Sequence, residues 1–288
     1  MTLLVYLIVQ LCRRNRDGSF ATQADRQKML ALFARQLDEA GYKRLKPSGL
    51  RSKHVDALLT RWRAEGISIG TTKNRLAALR WLCEKVGKPN LIPRDNTSLG
   101  INRRVHVSNA DKSKSLEEVD VAAIRSPFVA AALPLQQLLG LRREESIKIR
   151  PELADRGDHL HLFASWTKGG RERDIPIRTA EQRAAIDHAK KVAGTAALIP
   201  HGVSYRKHLG LYKSECTRIG LGGGHGLRHA YAQARYRELT GRECPVKGGP
   251  RRRELSRDQR MGDDAARLTI SAELGHARTQ VVAIYIGG

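Results

Sequence analysis

The amino-acid sequence predicts a mainly α protein with a small β-sheet, built as two domains joined by a linker. Apolar residues recur at helical spacing over residues 20–90. Residues 91–114 are rich in Pro, Asn, Asp and Ser and lose that periodicity. Residues 115–288 mix helical stretches with two short alternating runs on either side of a Gly-Gly turn. A chain of 288 residues holds one or two domains with a real core, and 41% apolar against 28% charged residues excludes full disorder.

Leu3 to Val9 is the most apolar run in the chain. It is too short to cross a bilayer, which takes about 20 residues. No basic segment precedes it and no small-residue cleavage site follows, so it reads as a buried helix or strand of the first domain; a leader-like start is the lesser alternative. A helix is expected over Ala24 to Leu37, stopped by Gly41, and a second over Ser52 to Ala64, stopped by Gly66. A third is expected over Thr71 to Val86, with Leu76, Leu79 and Leu82 on one face and Lys73, Arg75 and Arg80 on the other. That basic face suits phosphate contact, and a plain solvated face fits it equally well. Residues 1–90 thus form a helical domain. The linker, 91–114, includes Pro93, Asn96, Gly100 and Ser108, and Arg103, Arg104, Lys112 and Lys114 keep it basic.

The second domain, 115–288, opens on Ser115-x-x-Glu118, a capping-box pattern, with helix in pieces to residue 139. His159 to Ala164 and Arg173 to Ile177 read as two strands around the turn Thr167-Lys168-Gly169-Gly170. Helical pattern returns over Ala180 to Val192, Tyr205 to Ile219 and after Gly224. Residues 240–253 are loop by composition, and Arg251, Arg252 and Arg253 make it a candidate DNA contact or a solvated surface loop.

Lys and Arg number 52 against 29 Asp and Glu, a formal charge of +23. The first 100 residues carry 19 basic and 8 acidic side chains, so the excess is not one basic tail. Self-repulsion on this scale points to a polyanionic partner, above all nucleic acid. Cys12, Cys83, Cys216 and Cys244 form no CxxC pair, which speaks against a disulfide framework or a zinc site and for reduced thiols in the cytoplasm.

Four pieces of the second domain carry candidate chemistry, although none is specific when taken singly. Gly140-Leu141-Arg142 is followed by Glu145, three residues on. Lys168 sits at the predicted hairpin tip. In Gly224-His225-Gly226-Leu227-Arg228 the His and Arg share a helix face near a helix start, where an anion is favoured. Leu274-Gly275-His276 precedes Tyr285 by nine residues from the histidine, which at about 100° per residue is half a turn out of phase, so the chain must break if both face one site.

In this order the pieces resemble the tyrosine recombinase (phage integrase) family: arginine, hairpin lysine, His-x-x-Arg, Leu-Gly-His, then tyrosine. The resemblance covers the whole second domain, and the first looks like the family's core-binding (SAM-like) domain. It implies a helical core-binding domain and a mixed α/β catalytic domain clamped around duplex DNA. Tyr285 would be the nucleophile forming a 3′-phosphotyrosyl bond, with Arg142 and Arg228 on the phosphate oxygens, a pairing that suits the guanidinium fork. Lys168 would be the general acid, His225 a base on the tyrosine or a phosphate donor, and His276 a second donor. Glu145 would orient Arg142 or His225. No metal or other cofactor is implied. The expected partners are double-stranded DNA, further copies of the chain assembling on it as a tetramer, and accessory DNA-bending or directionality proteins; a membrane is not among them. The expected activity is site-specific recombination or integration of a mobile element. Two alternatives stay open: strand relaxation of the type IB topoisomerase kind, and a sequence-specific DNA-binding protein without catalysis. The long interval from Arg228 to His276 and the short tail after Tyr285 depart from the family pattern.

Overall fold

The computed structural model describes residues 2–105, 107, 109–276 and 278–288, so Ser108 of the expected linker lies outside the described residues. The chain forms two compact units, residues 1–105 and 106–288.

The first unit is built from four helices, α1 (Leu3–Arg14), α2 (Phe20–Glu39), α3 (Ser52–Ala64) and α4 (Ile69–Lys85). Thr2, Ser19 and Ser68 cap α1, α2 and α4 by accepting from backbone N–H groups of the first turn. The apolar N-terminal run is a helix whose Leu4, Val5 and Ile8 enter the core beside Leu30, Phe33, Leu58, Trp62 and Leu76. Buried Trp62 donates its indole N–H to Gln36 at 3.0 Å, which satisfies both polar groups inside that core.

Part of the segment that reads as linker folds onto this unit. Ile92 and Ile101 are buried in its core, and a single 3₁₀ turn spans Thr97–Leu99. Two arginines add polar ties: Arg80 donates to the Pro93 carbonyl and to Asn96 Oδ1, and Arg63 donates to the Leu99 carbonyl. The charge of Arg80 therefore serves an internal tie, which a count of basic residues along a helix face does not reveal.

The second unit contains α5 (Pro127–Leu139), α6 (Arg143–Lys148), α7 (Pro151–Ala154), β1 (His159–Leu162), β2 (Arg173–Pro176), α8 (Ala180–Ala193), α9 (Tyr205–Arg218), α10 (His225–Thr240), α11 (Arg257–Glu273) and α12 (Ala283–Ile286). The Ser115/Glu118 capping box is present but heads one 3₁₀ turn rather than an α-helix. The helix proper begins at Pro127, whose fixed φ suits the first helical position, with Ser126 as its cap. β1 and β2 pair antiparallel, Leu160 opposite Ile175 and Leu162 opposite Arg173. Leu160, Leu162 and Ile175 face a core that α5, α8 and α9 complete through Leu133, Ile186 and Tyr212.

A smaller apolar cluster joins α10, α11 and α12 through Tyr231, Tyr236, Ile270, Leu274, Val282 and Ile286. Helix α11 has no counterpart in the sequence reading. Its inward face carries Asp263 and Arg267, which pair at 2.8 Å, and Asp263 also accepts from Tyr236 at 2.7 Å. All four cysteines are buried and free. Among the described residues no helix is long and apolar enough to cross a membrane.

Candidate active site

Each candidate residue is placed by a local feature of the chain. Helix α5 ends at Gly140 with φ +64°, a left-handed turn that sends Leu141 into the core and Arg142 to the head of α6. A Cβ at Gly140 would lie 2.5 Å from the Tyr231 ring and 2.9 Å from Leu274, so only glycine fits. Gly224, at φ +74°, starts α10 in the same way, where a Cβ would meet the Tyr212 hydroxyl at 2.6 Å. Lys168 is exposed on the ten-residue connection between β1 and β2. Helix α11 stops at Glu273, and a 3₁₀ turn over Thr279–Val282 delivers Tyr285 on α12, the break that the phase argument requires.

These elements surround an open cleft of about 760 Å³ lined by Arg142, Arg143, Glu145, Lys168, Arg171, His225, His276 and Tyr285. The Tyr285 hydroxyl lies 3.2 Å from His276 Nε2 and 3.3 Å from Arg228 Nε. Arg228 is fully buried, and its two terminal nitrogens donate to the carbonyls of Gly140 and Leu274. Burial pushes its guanidinium down to about 10, and Tyr285 acts in the opposite sense. Arg142 donates to Glu145 Oε1 at 2.6 Å and to the Gly275 carbonyl at 3.3 Å while keeping a fifth of its side chain open to the cleft.

Three histidine rings pack around the tyrosine, with centroids 4.7 Å (His229), 5.6 Å (His276) and 5.8 Å (His225) from its ring. Burial, then the charges of Arg228, Arg142 and Arg173, depress His276 to about 3. Burial, then His229 and the arginines, depress His225 to about 4. Both are neutral at pH 7, so His276 Nε2 can accept a proton from the phenol. His276, rather than His225, is the ring within hydrogen-bond distance of the tyrosine hydroxyl.

Burial would raise the Glu145 carboxyl, but the hydrogen bond and charge of Arg173 and the charge of Arg142 reverse this and hold it at about 2. Glu145 contacts Arg142 as expected and makes no hydrogen bond to His225 among those described. Arg173 is absent from the sequence-derived set; the alternation of β2 was the available signal, since it puts Arg173 on the buried face with Ile175. Arg143 and Arg171 also line the cleft without having been singled out.

The basic residues read as DNA contacts divide. Lys73 is partly open on α4, while Arg75 stacks on Trp62 at 5.2 Å and is largely covered. Arg80 is spent on the 93–96 segment, as described above. Arg103 and Arg104 are exposed. Arg251, Arg252 and Arg253 are all exposed, and Arg252 also pairs with Asp263 and Asp264 and thereby fastens the loop to α11. Among the described residues no cluster of His, Cys, Asp and Glu is arranged to hold a metal ion.

Residues 1–92 match the family described as phage integrase, N-terminal, and residues 103–234 match the integrase family. His276 and Tyr285 lie beyond that second match. In structure the chain is similar to a lambda integrase (75–356) dimer bound to a COC′ core site, with a TM-score of 0.64 and 15% identity over 99% of this chain and 95% of that one. It is similar to XerH site-specific recombinase bound to palindromic difH substrate, with a TM-score of 0.62 and 14% identity over 98% of this chain and 80% of that one. It is also similar to the Tn1549 transposon integrase in complex with transposon right end DNA, at TM-score 0.59 and 12% identity over 100% of this chain and 95% of that one. At these identities the likeness is one of fold. No curated protein sequence matches the chain.

Proposed function

The chain belongs to the tyrosine recombinase (phage integrase) family, and from that premise we propose that it is a site-specific DNA recombinase of a mobile element that cleaves and rejoins strands through a 3′-phosphotyrosyl bond at Tyr285. One observation carries the proposal: the Tyr285 hydroxyl touches both His276 and Arg228 at the wall of a cleft that Arg142, Lys168 and His225 also line.

In the proposed step the Tyr285 oxygen attacks the scissile phosphorus, and its proton passes to neutral His276. The P–O5′ bond breaks as the P–O(tyrosine) bond forms. Lys168 gives a proton to the leaving 5′-oxygen. The Arg228 Nε, 3.3 Å from the Tyr285 oxygen, stabilises the negative charge that develops there as the proton leaves. Arg142 holds the non-bridging oxygens, whose charge grows in the transition state, and His225 donates to the same group. Attack by a 5′-hydroxyl from another duplex reverses the step and exchanges strands. Double-stranded DNA is the proposed partner. The lambda integrase tetramer bound to a Holliday junction, a structure similar to this chain, supports assembly of several copies on it.

The test is covalent trapping. Tagged protein recovered from cells after SDS denaturation carries DNA in the wild type and none in Tyr285→Phe, and the attached sequences give the recombination site. A Tyr285→Phe protein that carries as much DNA as the wild type, or a wild type that binds DNA but forms no adduct even on a nicked suicide substrate, overturns the proposal.

A further inference from the structure

We propose that Arg173 is a positioning residue of this site: it holds Arg142 in its working place through Glu145 and never meets the substrate. The proposal rests on the reading of Tyr285 given above.

Arg173 opens β2 and turns inward with Ile175, its side chain only 6% exposed. Its Nε donates to the Glu273 carbonyl at 2.8 Å. Its two terminal nitrogens straddle the Glu145 carboxylate, at 3.1 Å to Oε1 and 2.7 Å to Oε2. The same two oxygens accept from the Arg142 side chain at 2.6 Å and the Arg142 backbone N–H at 2.7 Å. Glu145 is therefore a buried bridge between two guanidiniums. One of them is sealed off and the other is open to the cleft.

The C-terminal end of α11 gives a second, independent sign. Three successive carbonyls, those of Glu273, Leu274 and Gly275, accept from Arg173, Arg228 and Arg142 in turn. The negative end of a helix dipole is the place for such cations. The glycine between Leu274 and His276 is also set by Arg173, because a Cβ on Gly275 would lie 2.9 Å from its guanidinium nitrogen. Arg173 thus fixes Arg142 from one side and the backbone leading to His276 from the other. Lysine brings a single charge and cannot span two carboxylate oxygens and a carbonyl at once.

The test uses the full chain and a nicked duplex carrying the junction sequence recovered from wild-type adducts. In Arg173→Lys, adduct formation at saturating DNA falls by about 10²-fold, the cost of an ångström-scale misplacement of a group at the phosphate. DNA affinity changes by less than about threefold, because a misplaced Arg142 loses most where the phosphate charge grows, in the transition state. A methylphosphonate at the scissile position separates positioning from mere structure. It removes the charge that Arg142 neutralises, so the Arg173→Lys defect shrinks to a few-fold on that substrate. Arg173→Ala supplies a second arm, in which millimolar guanidinium restores cleavage and ammonium does not. Wild-type rates in Arg173→Lys, an equal defect on both substrates, or no rescue of a folded Arg173→Ala overturns the proposal. A wild type that forms no adduct fails the reading of Tyr285 itself and takes this one with it.

Discussion

Replacing Glu145 by glutamine tests whether its charge holds the second unit together. Glu145 is fully buried and accepts four hydrogen bonds, all from Arg142 and Arg173. Glutamine keeps the shape and one acceptor oxygen but turns an NH2 group toward guanidinium donors, so about half of those bonds are lost. A hydrogen bond to a charged group contributes about 1.5–3 kcal/mol, which puts the loss of two at about 3–6 kcal/mol. Breaking a buried ion pair from one side costs a similar 3–5 kcal/mol or so. For a unit of this size each kcal/mol lowers the melting temperature by about 2–4 °C, so Glu145→Gln is expected to melt at least about 6 °C below wild type. Differential scanning calorimetry of the full chain reads this directly. Saturating duplex DNA should narrow the gap, since a phosphate in the cleft replaces the missing negative charge beside Arg142. A melting temperature within 2 °C or so of wild type without DNA would show that the arginines are held by their carbonyl contacts alone, contrary to this reasoning.

Three further outcomes are expected. Gly140→Ala places a Cβ 2.5 Å from Tyr231 in a left-handed backbone turn, and urea denaturation should show a loss of about 2–4 kcal/mol from overpacking and strain together. His276 is depressed to about 3, and His229 and His208 are also lowered, in each case chiefly by burial. Below about pH 6.5 the unfolded chain takes up protons that the folded chain refuses, so stability is complete above that pH and falls as pH drops, by at most about 1.4 kcal/mol per pH unit for each histidine; a urea midpoint that stays flat from pH 7 to pH 5 or so counts against this. Lys73→Gln should reduce the slope of log DNA affinity against log salt by about 1, whereas Arg80→Gln should leave the slope alone and lower the melting temperature of the first unit, because its guanidinium is bonded to Pro93 and Asn96.

Arg80 and Arg252, which bond to other parts of the chain, show why charge counting stops short. Arg80 and Arg252 look in sequence like Lys73 and Arg251, yet their partners lie 13 to 16 residues away for Arg80 and 11 to 12 for Arg252. Helix α11 has a related feature: its buried face carries Asp263, Arg267, Ser271 and Glu273 beside Ala266 and Ile270, so an apolar pattern does not mark it. The short runs around Arg142, Arg228 and His276 were legible because each is tied to a glycine. Gly140, Gly224 and Gly275 all sit at positive φ with no room for a side chain, so backbone and side chain are specified together. Arg173 had no such marker. Its role depends on the register of β2 and on Glu145, 28 residues back, and both are tertiary facts.

The charge balance of the site shows what it lacks. Three guanidiniums, of Arg142, Arg173 and Arg228, converge on the end of α11, and Glu145 is the one carboxylate that hydrogen-bonds to any of them among the described residues. The helix end adds about half a negative charge. More than one positive charge stays uncompensated, and the two histidines nearest the cleft are held neutral rather than adding to it. One phosphodiester carries one negative charge in its ground state and more as the fifth oxygen bonds to phosphorus. A site balanced for the ground state alone would need only Arg142 against the phosphate. Burying Arg228 behind the proposed nucleophile, with both terminal nitrogens tied to backbone carbonyls, leaves its Nε for the phenol oxygen. In the proposed cleavage that arrangement would stabilise negative charge on Tyr285 as its proton leaves, which is where a strand-cleaving tyrosine needs it.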